Sequence, residues 1–275
     1  MSDTYIRPLW YIPQPKYDRL DLSANVCVDV HIPKFEFDHH VYDDSAISYN
    51  VLSEYHQIDC KNLVIGLGLS ELICRIMYVV KLNGWSMTIA DMPTWQPVEA
   101  MRLALDIPSG SDVLYVADPN GNTGMRGNVD GQYKLIIRDK SYADFIGDTT
   151  YDIEELTIKT LSKSIAMPGA RFGWGIGPSK LIKQIQDIRP ARVTIGGMSN
   201  VLPEILSNIE PHVSRMNACK MYIESNYDCT PSLGNYVLFN SLPKWSDRVI
   251  MKNIGRLYRM SLVDMDTFYD KIDRD

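Results

Sequence analysis

The stretch KNLVIGLGLSELICRIMYVVKL (61–82) decides how the rest of the chain is read. LVIGLG (63–68) is a short apolar run that ends in glycines, the mark of a buried strand, and Leu69–Leu82 then carries Leu72, Ile73, Ile76 and Val79 or Val80 at helical spacing. Working outward, MTIAD (87–91) is a second strand and Thr94–Leu105 a second helix. VLYVA (113–117) and LIIRD (135–139) are further strands, and KTLSK (159–163) reads as another. Strands that alternate with helices predict an α/β domain around a mostly parallel sheet.

On either side the pattern changes. Residues 1–60 are rich in Pro, Asp and aromatics without a sustained period, and Ser45–Tyr55 forms one helix within them. Beyond Gly177 the chain is more helical, over Pro178–Ile188 and about 198–226, before two late strands, NYVLF (235–239) and LYRMSL (257–262). The organisation expected is an N-terminal arm (1–40), a large α/β domain (41–185) and a smaller C-terminal α+β domain (186–275).

Composition narrows the function classes. The 275 residues are 45% hydrophobic, enough for a sizeable core, and 28 Lys+Arg against 34 Asp+Glu give a net charge of −6. That balance argues against a general nucleic-acid or membrane-surface binder. No apolar run is long enough to span a bilayer, and MSDTYIRPLWYIPQPK (1–16) lacks the pattern of a signal peptide, so a cytoplasmic protein is expected. The five cysteines are odd in number and form no C-x-x-C, and adjacent His39 and His40 are a poor pair for one metal, so neither a disulfide framework nor a metal is expected.

Ligands of open α/β sheets bind beyond the carboxyl ends of the strands. Gly66, Gly68, Ser70 and Glu71 follow the first strand, and Pro93-Thr94-Trp95 the second. DPNGNTG (118–124) follows the third, Asp139 and Tyr142 the fourth, and Lys163, Gly169 and Arg171 the fifth. Each residue alone is ordinary: a strand-end lysine is usually solvated, and an aspartate there often caps a helix. The ordered set is not ordinary. Backbone N–H groups at a helix start bind phosphate, and an arginine adds a clamp. GLGLSE is not the dinucleotide fingerprint, because Glu71 stands where the third glycine belongs, and it lacks the Gly-Lys-Ser/Thr ending of a P-loop. Trp95 could stack on a planar ring, Asp139 hold a proton on a ring nitrogen, and Lys163 form a Schiff base with an aldehyde. Phosphate, ring, basic nitrogen and aldehyde together describe pyridoxal phosphate.

At these residues the chain resembles the fold-type I pyridoxal-phosphate aminotransferases of class I/II, above all the histidinol-phosphate aminotransferase branch. LDLSANVCVD (20–29) is similar to that branch's LDLSxNENP opening, and KNLVIGLGLSELI (61–73) to its GNGSDELI segment. DPNGNTG resembles NPNNPTG, and IIRDKSYADF (136–145) resembles VVDEAYxDF. TLSKSIAMPGARFGWGIG (160–177) resembles TFSKxxGLAGLRxGYxIG and keeps the eight-residue step from lysine to arginine. PSLGNYVLF (231–239) and LYRMSL resemble PSxANFxLV and LRITIG, so the likeness runs from about residue 20 to 265 with the motif order kept.

The resemblance implies roles. Lys163 would carry pyridoxal 5'-phosphate as an internal aldimine and then move the substrate's α-proton, Asp139 would pair with the pyridine nitrogen, Tyr142 would donate to the ring hydroxyl and Trp95 would stack on the ring. Gly68, Leu69, Ser70, Ser162 and Arg171, with Thr160 a weaker candidate, would hold the phosphate. Arg259 would bind the substrate carboxylate with Asn25 nearby, and Tyr42, from VYDD, would reach across a homodimer interface to the partner's phosphate.

The departures are specific. The asparagine that bonds the ring hydroxyl is Gly121 here, with Asn120 or Asn122 as substitutes if the loop is reshaped, and Lys252-Asn253 stands where the branch has an arginine in IxxRD. Three readings stay open: an aminotransferase working between an amino acid and a keto acid; a decarboxylase like threonine-phosphate decarboxylase; and a non-catalytic relative that only binds a ligand or partner.

Overall fold

The computed structural model describes residues 19–23, 25–28, 31–36, 40, 44–189, 196–254 and 256–273. Strand β1 (Leu20–Asp21) precedes helix α1 (Ser45–His56), then β2 (Leu63–Leu67), α2 (Gly68–Leu82), β3 (Met87–Ile89), α3 (Gln96–Ala104), β4 (Val113–Ala117) and β5 (Leu135–Asp139). The chain continues through β6 (Leu156–Thr160), the short turn α4 (Leu161–Ser164), β7 (Phe172–Ile176), α5 (Ser179–Asp187), α6 (Met198–Ser207) and α7 (Ile209–Asn226). Strands β8 (Cys229–Thr230), β9 (Tyr236–Phe239), β10 (Val249–Ile250), β11 (Lys252–Ile254) and β12 (Leu257–Ser261) follow, before α8 (Met265–Thr267).

Six strands form the central sheet in the order β2-β7-β6-β5-β4-β3. β3 to β6 are mutually parallel, and β7 runs antiparallel between β6 and β2. β2 therefore points the same way as β3 to β6, and five carboxyl ends open on one edge. On one face α2 and α5 bury Leu72, Ile76, Val80, Leu181 and Ile185 against Val64 and Ile158. On the other, Leu52 of α1, Leu202 of α6 and Met216 of α7 join Trp174 and Phe239 in a core shared with the second, antiparallel sheet, β11-β12-β9-β8.

Four details differ from the sequence reading. FGWGI was not read as a strand, because two glycines interrupt its apolar pattern; yet Gly173 and Gly175 give β7 the close backbone approach it needs between two neighbours, a Cβ at Gly173 falling 3.0 Å from the backbone of Gly68 and Leu69. KTLSK is not one strand: the Thr160 side chain accepts a hydrogen bond from Ser162 N and caps a helical turn, so Lys163 sits on α4. The helix of 198–226 is two, parted at Asn208. Finally, the crossover from β4 to β5 (118–134) contains no helix. Beside it, ion pairs tie the strand residues Arg138 and Lys159 to Glu155 and Asp144 at 2.7 and 2.5 Å, and Lys140, just after β5, to Asp148 at 2.9 Å.

The segment after β1 runs against the second sheet. β1 pairs with β10, Ser261 N donates to Leu22 O at 2.9 Å, and Val28 N donates to Leu262 O at 2.9 Å. This anchoring carries Asn25 over the carboxyl edge of the central sheet.

Glu71, singled out as a strand-end residue, is part of the scaffold. It accepts from Leu67 N at 3.1 Å and pairs with buried Arg75, which also donates to Ile65 O at 2.5 Å and Ile185 O at 3.3 Å. Breaking a buried pair from one side strands a charge. Glu71→Ala is therefore expected to lower stability by about 3 kcal/mol in urea denaturation, whereas a loss under about 0.5 kcal/mol, as at an ordinary surface site, would mean that the carbonyls alone satisfy Arg75.

Candidate active site

The 25–28 segment, the turn after β5 and strand β12 meet near the Lys163 amine. Half-buried on α4, its Nζ donates to Asn25 O at 2.7 Å and lies 5.9 Å from the centroid of the Tyr142 ring. Burial pushes its pKa down to about 8, and the Arg259 charge adds to the shift, opposed by Cys27 and Asp139. Arg259, on β12, is itself buried; it donates to Gly121 O at 3.2 Å and Ser23 O at 3.4 Å and faces the Tyr236 ring at 5.4 Å. Its Nε has no hydrogen-bond partner among the described residues. Lys252 is its register partner on β11, so the two cations share a face of that hairpin.

Asp139 ends β5 as a buried carboxylate with three donors: Ser141 N at 2.9 Å and Ser141 Oγ at 2.5 Å on Oδ1, and Tyr115 Oη at 2.6 Å on Oδ2. Ser141 follows the strand, so its place could be inferred from spacing alone. Tyr115 gave no such signal, because the middle of an apolar strand reads as core.

Tyr142 begins the turn after β5. Its hydroxyl accepts from Asn25 Nδ2 at 2.5 Å, and burial raises its pKa far above the usual phenol range. The Tyr142 ring also explains Gly121: a Cβ there would fall 2.5 Å from the ring. The two asparagines that flank Gly121 are committed elsewhere. Asn120 Nδ2 donates to Asp91 O at 2.8 Å and Pro93 O at 3.2 Å, and Asn122 Nδ2 donates to Thr94 O at 2.7 Å. They clamp the 91–94 loop that leads into Trp95, and the amide that meets Tyr142 comes from Asn25, which has φ 57°.

The start of α2 is where an anion could be held. Leu67, its N-cap, supplies no side-chain cap, so N–H groups of the first turn are left for another acceptor. Arg171 donates to Leu67 O at 3.3 Å and Pro168 O at 3.0 Å beside that turn. Gly68 has φ +70°, and a side chain there would collide with the Arg171 guanidinium. Leu69 turns its side chain into the core while its N–H stays in the first turn, and Ser70 is exposed. Thr160 Oγ1 is taken up locally, bonded to Phe172 O at 3.1 Å and Ser162 Oγ at 3.0 Å. Trp95 and Ser70 line an apolar cavity of about 510 Å³ with Cys74, Tyr78 and Met101. Tyr42 lies outside the described residues.

An uncapped helix start, a half-buried amine, a buried carboxylate and a phenol stand along one edge of the central sheet, and the second sheet adds a recessed guanidinium. The family model for aminotransferase class I and II matches residues 129–230. The chain is similar to the class I and II aminotransferases. A histidinol-phosphate aminotransferase of Clostridium novyi is 22% identical over 231 residues, covering 70% of this chain and 64% of that protein. The first three curated relatives are matched over 64%, 52% and 49% of their length, so the chain spans about half to two thirds of them. The crystal structure of the Clostridium acetobutylicum histidinol-phosphate aminotransferase superposes with a TM-score of 0.69 at 16% identity, over 90% of this chain and 95% of that one. That of Sinorhizobium meliloti, solved in complex with pyridoxal-5'-phosphate, gives 0.63 at 14% identity over 83% and 80%. The fold is that of the fold-type I enzymes.

Two outcomes follow from this geometry. Because the Arg259 charge helps hold the Lys163 pKa down, Arg259→Gln raises the pH at which Lys163 becomes reactive; competitive labelling against an amine reagent should show half-reaction near pH 8 in the native chain and at clearly higher pH in the variant. Gly121→Asn, which restores the family's residue, pushes on Tyr142 and should destabilise the fold by about 1–3 kcal/mol in thermal unfolding; an unchanged or raised melting temperature would show that the loop yields freely.

Proposed function

We propose that this chain is a pyridoxal-phosphate-dependent aminotransferase that moves an amino group between an amino acid and a keto acid. The observation that carries the reading is the Lys163 amine on α4, which donates to Asn25 O at 2.7 Å and faces the Tyr142 ring at 5.9 Å; burial and the buried Arg259 lower its pKa to about 8, and Asp139 opposes them. An amine so lowered reaches its neutral, nucleophilic form close to physiological pH.

The residues present fit the cofactor. Arg171 and the uncapped first turn of α2, with Ser70 beside them, suit a phosphate. Asp139 suits a protonated ring nitrogen, because its three donors leave one lone pair, on Oδ2, beyond the Tyr115 hydroxyl already there. The Tyr142 hydroxyl accepts from Asn25 and so has its own proton free for a ring oxygen. When bound, pyridoxal phosphate supplies an aldehyde for the lysine and a ring that accepts electrons from the substrate's α-carbon.

The chain's own groups divide the remaining work. Lys163 holds the cofactor and, once displaced by substrate, moves a proton to and from the α-carbon. Arg259 presents its fork to the substrate carboxylate, oriented by Gly121 O and Ser23 O. Asn25 bridges the two groups, its side chain donating to the Tyr142 hydroxyl and its carbonyl accepting from Lys163. Lys252, beside Arg259, favours substrates with a second acidic group. A homodimer in which Tyr42 of a second copy completes the phosphate site belongs to the same proposal, as does the division into arm, large and small domains.

The test is the visible spectrum of the protein with added pyridoxal phosphate. A Schiff-base band that borohydride fixes onto Lys163, that Lys163→Ala lacks, that an amino acid bleaches and that a keto acid restores supports the proposal. No band at saturating cofactor would overturn it, and release of carbon dioxide without a keto acid would replace transamination by decarboxylation. Arg171→Gln should weaken cofactor binding about tenfold, the worth of a charge-assisted hydrogen bond.

A further inference from the structure

Tyr115 occupies the middle of β4, fully buried among Val113, Ile137 and Ile158. In the parallel β4–β5 register Ala117 faces Asp139 and Tyr115 faces Ile137. Tyr115 and Asp139 are thus diagonal neighbours on one face, about 7 Å apart at the backbone, a gap that a tyrosine spans. Its hydroxyl meets Asp139 Oδ2 at 2.6 Å, on the oxygen that Ser141 leaves open. An unbranched apolar residue would fill the strand core equally well, and a buried hydroxyl is retained only with a partner.

We propose that Tyr115 is a positioning residue for Asp139, fixing the orientation of its carboxylate and weakening its hold on a proton shared with a cofactor ring nitrogen. The inference rests on the pyridoxal phosphate reading of the site. With Ser141 on Oδ1 and Tyr115 on Oδ2, the carboxylate is braced from both sides and cannot rotate without breaking a hydrogen bond. Burial and the Asp139 charge drive the Tyr115 pKa well above the usual phenol value, so it donates throughout the working pH range. The other charged and titratable groups around the site are Lys163, Arg259, Tyr142, Tyr236 and Cys27. None of these bonds Asp139 directly among the described residues, which leaves Tyr115 as the side chain outside the 139–142 turn that does.

The effect has a definite sign. A carboxylate that loses a donor holds a shared proton more tightly and leaves less positive charge on the ring. The lysine nitrogen attached to that ring then keeps its own proton to higher pH. In the reconstituted protein, Tyr115→Phe is therefore expected to move the pH midpoint of the visible band upward by about half a unit or more, as loss of a hydrogen bond to a charged group does. Incorporating 3-fluorotyrosine at position 115, a stronger donor of nearly the same shape, should move it downward. Opposite shifts support the inference. A midpoint unmoved in Tyr115→Phe, with only a lower melting temperature, would make Tyr115 a satisfied core residue and overturn it while the cofactor reading stands. If Tyr115→Phe fails to fold, the fluorinated protein decides alone, and an unmoved midpoint there overturns the inference. No band in the native protein would remove the cofactor reading and this inference together.

Discussion

Two cationic side chains share one water-poor site, and the rest of the arrangement follows from that crowding. Arg259 remains charged under any physiological condition, so the cost of bringing Lys163 close to it falls on the lysine. Burial alone would lower the Lys163 pKa; the guanidinium lowers it further. A surface lysine would have neither influence. The site brings them together because α4 follows the central sheet while β12 belongs to the second one, so the chemistry depends on the packing of the two sheets.

The neighbourhood of Tyr142 shows one constraint met by different means. Where the family has an asparagine, this chain has Gly121, and the space is occupied by the Tyr142 ring. The amide that meets the phenol arrives from residue 25, on a segment held by backbone hydrogen bonds to the second sheet. Asn120 and Asn122 are thereby free to pin the loop before Trp95. The same economy marks the β4–β5 crossover, where Arg138, Lys140 and Lys159 pair with carboxylates beside a connection without a helix. Mostly buried, such pairs favour one arrangement of the loops more than they add stability.

Much of this was legible in the sequence because it depends on local chemistry. Apolar runs ending in glycine, followed by helical periodicity, identify strand–helix units, and parallel strands oblige their carboxyl ends to share an edge. Hence Lys163, Asp139, Tyr142 and Arg171, scattered over 33 positions from 139 to 171, could be expected on one edge of the sheet before any coordinates. The uncapped start of α2 at Gly68 was legible for the same reason, since a glycine that ends an apolar run and opens a helical pattern needs no long-range information.

What only the tertiary structure decided are the contacts that cross elements. β7 lacks an apolar alternation, and its glycines acquire meaning only between two neighbouring backbones. Tyr115 is indistinguishable from core until the β4–β5 register sets it diagonal to Asp139. Asn25 meets Tyr142 across 117 positions of chain, and Glu71 turns from a strand-end candidate into the partner of buried Arg75. The sequence by itself determined which groups stand at the strand ends, because alternation and helix periodicity are local. Which of them hold one another, and at what charge, was decided by register and sheet packing, because hydrogen bonding and desolvation depend on neighbours that sequence distance does not specify.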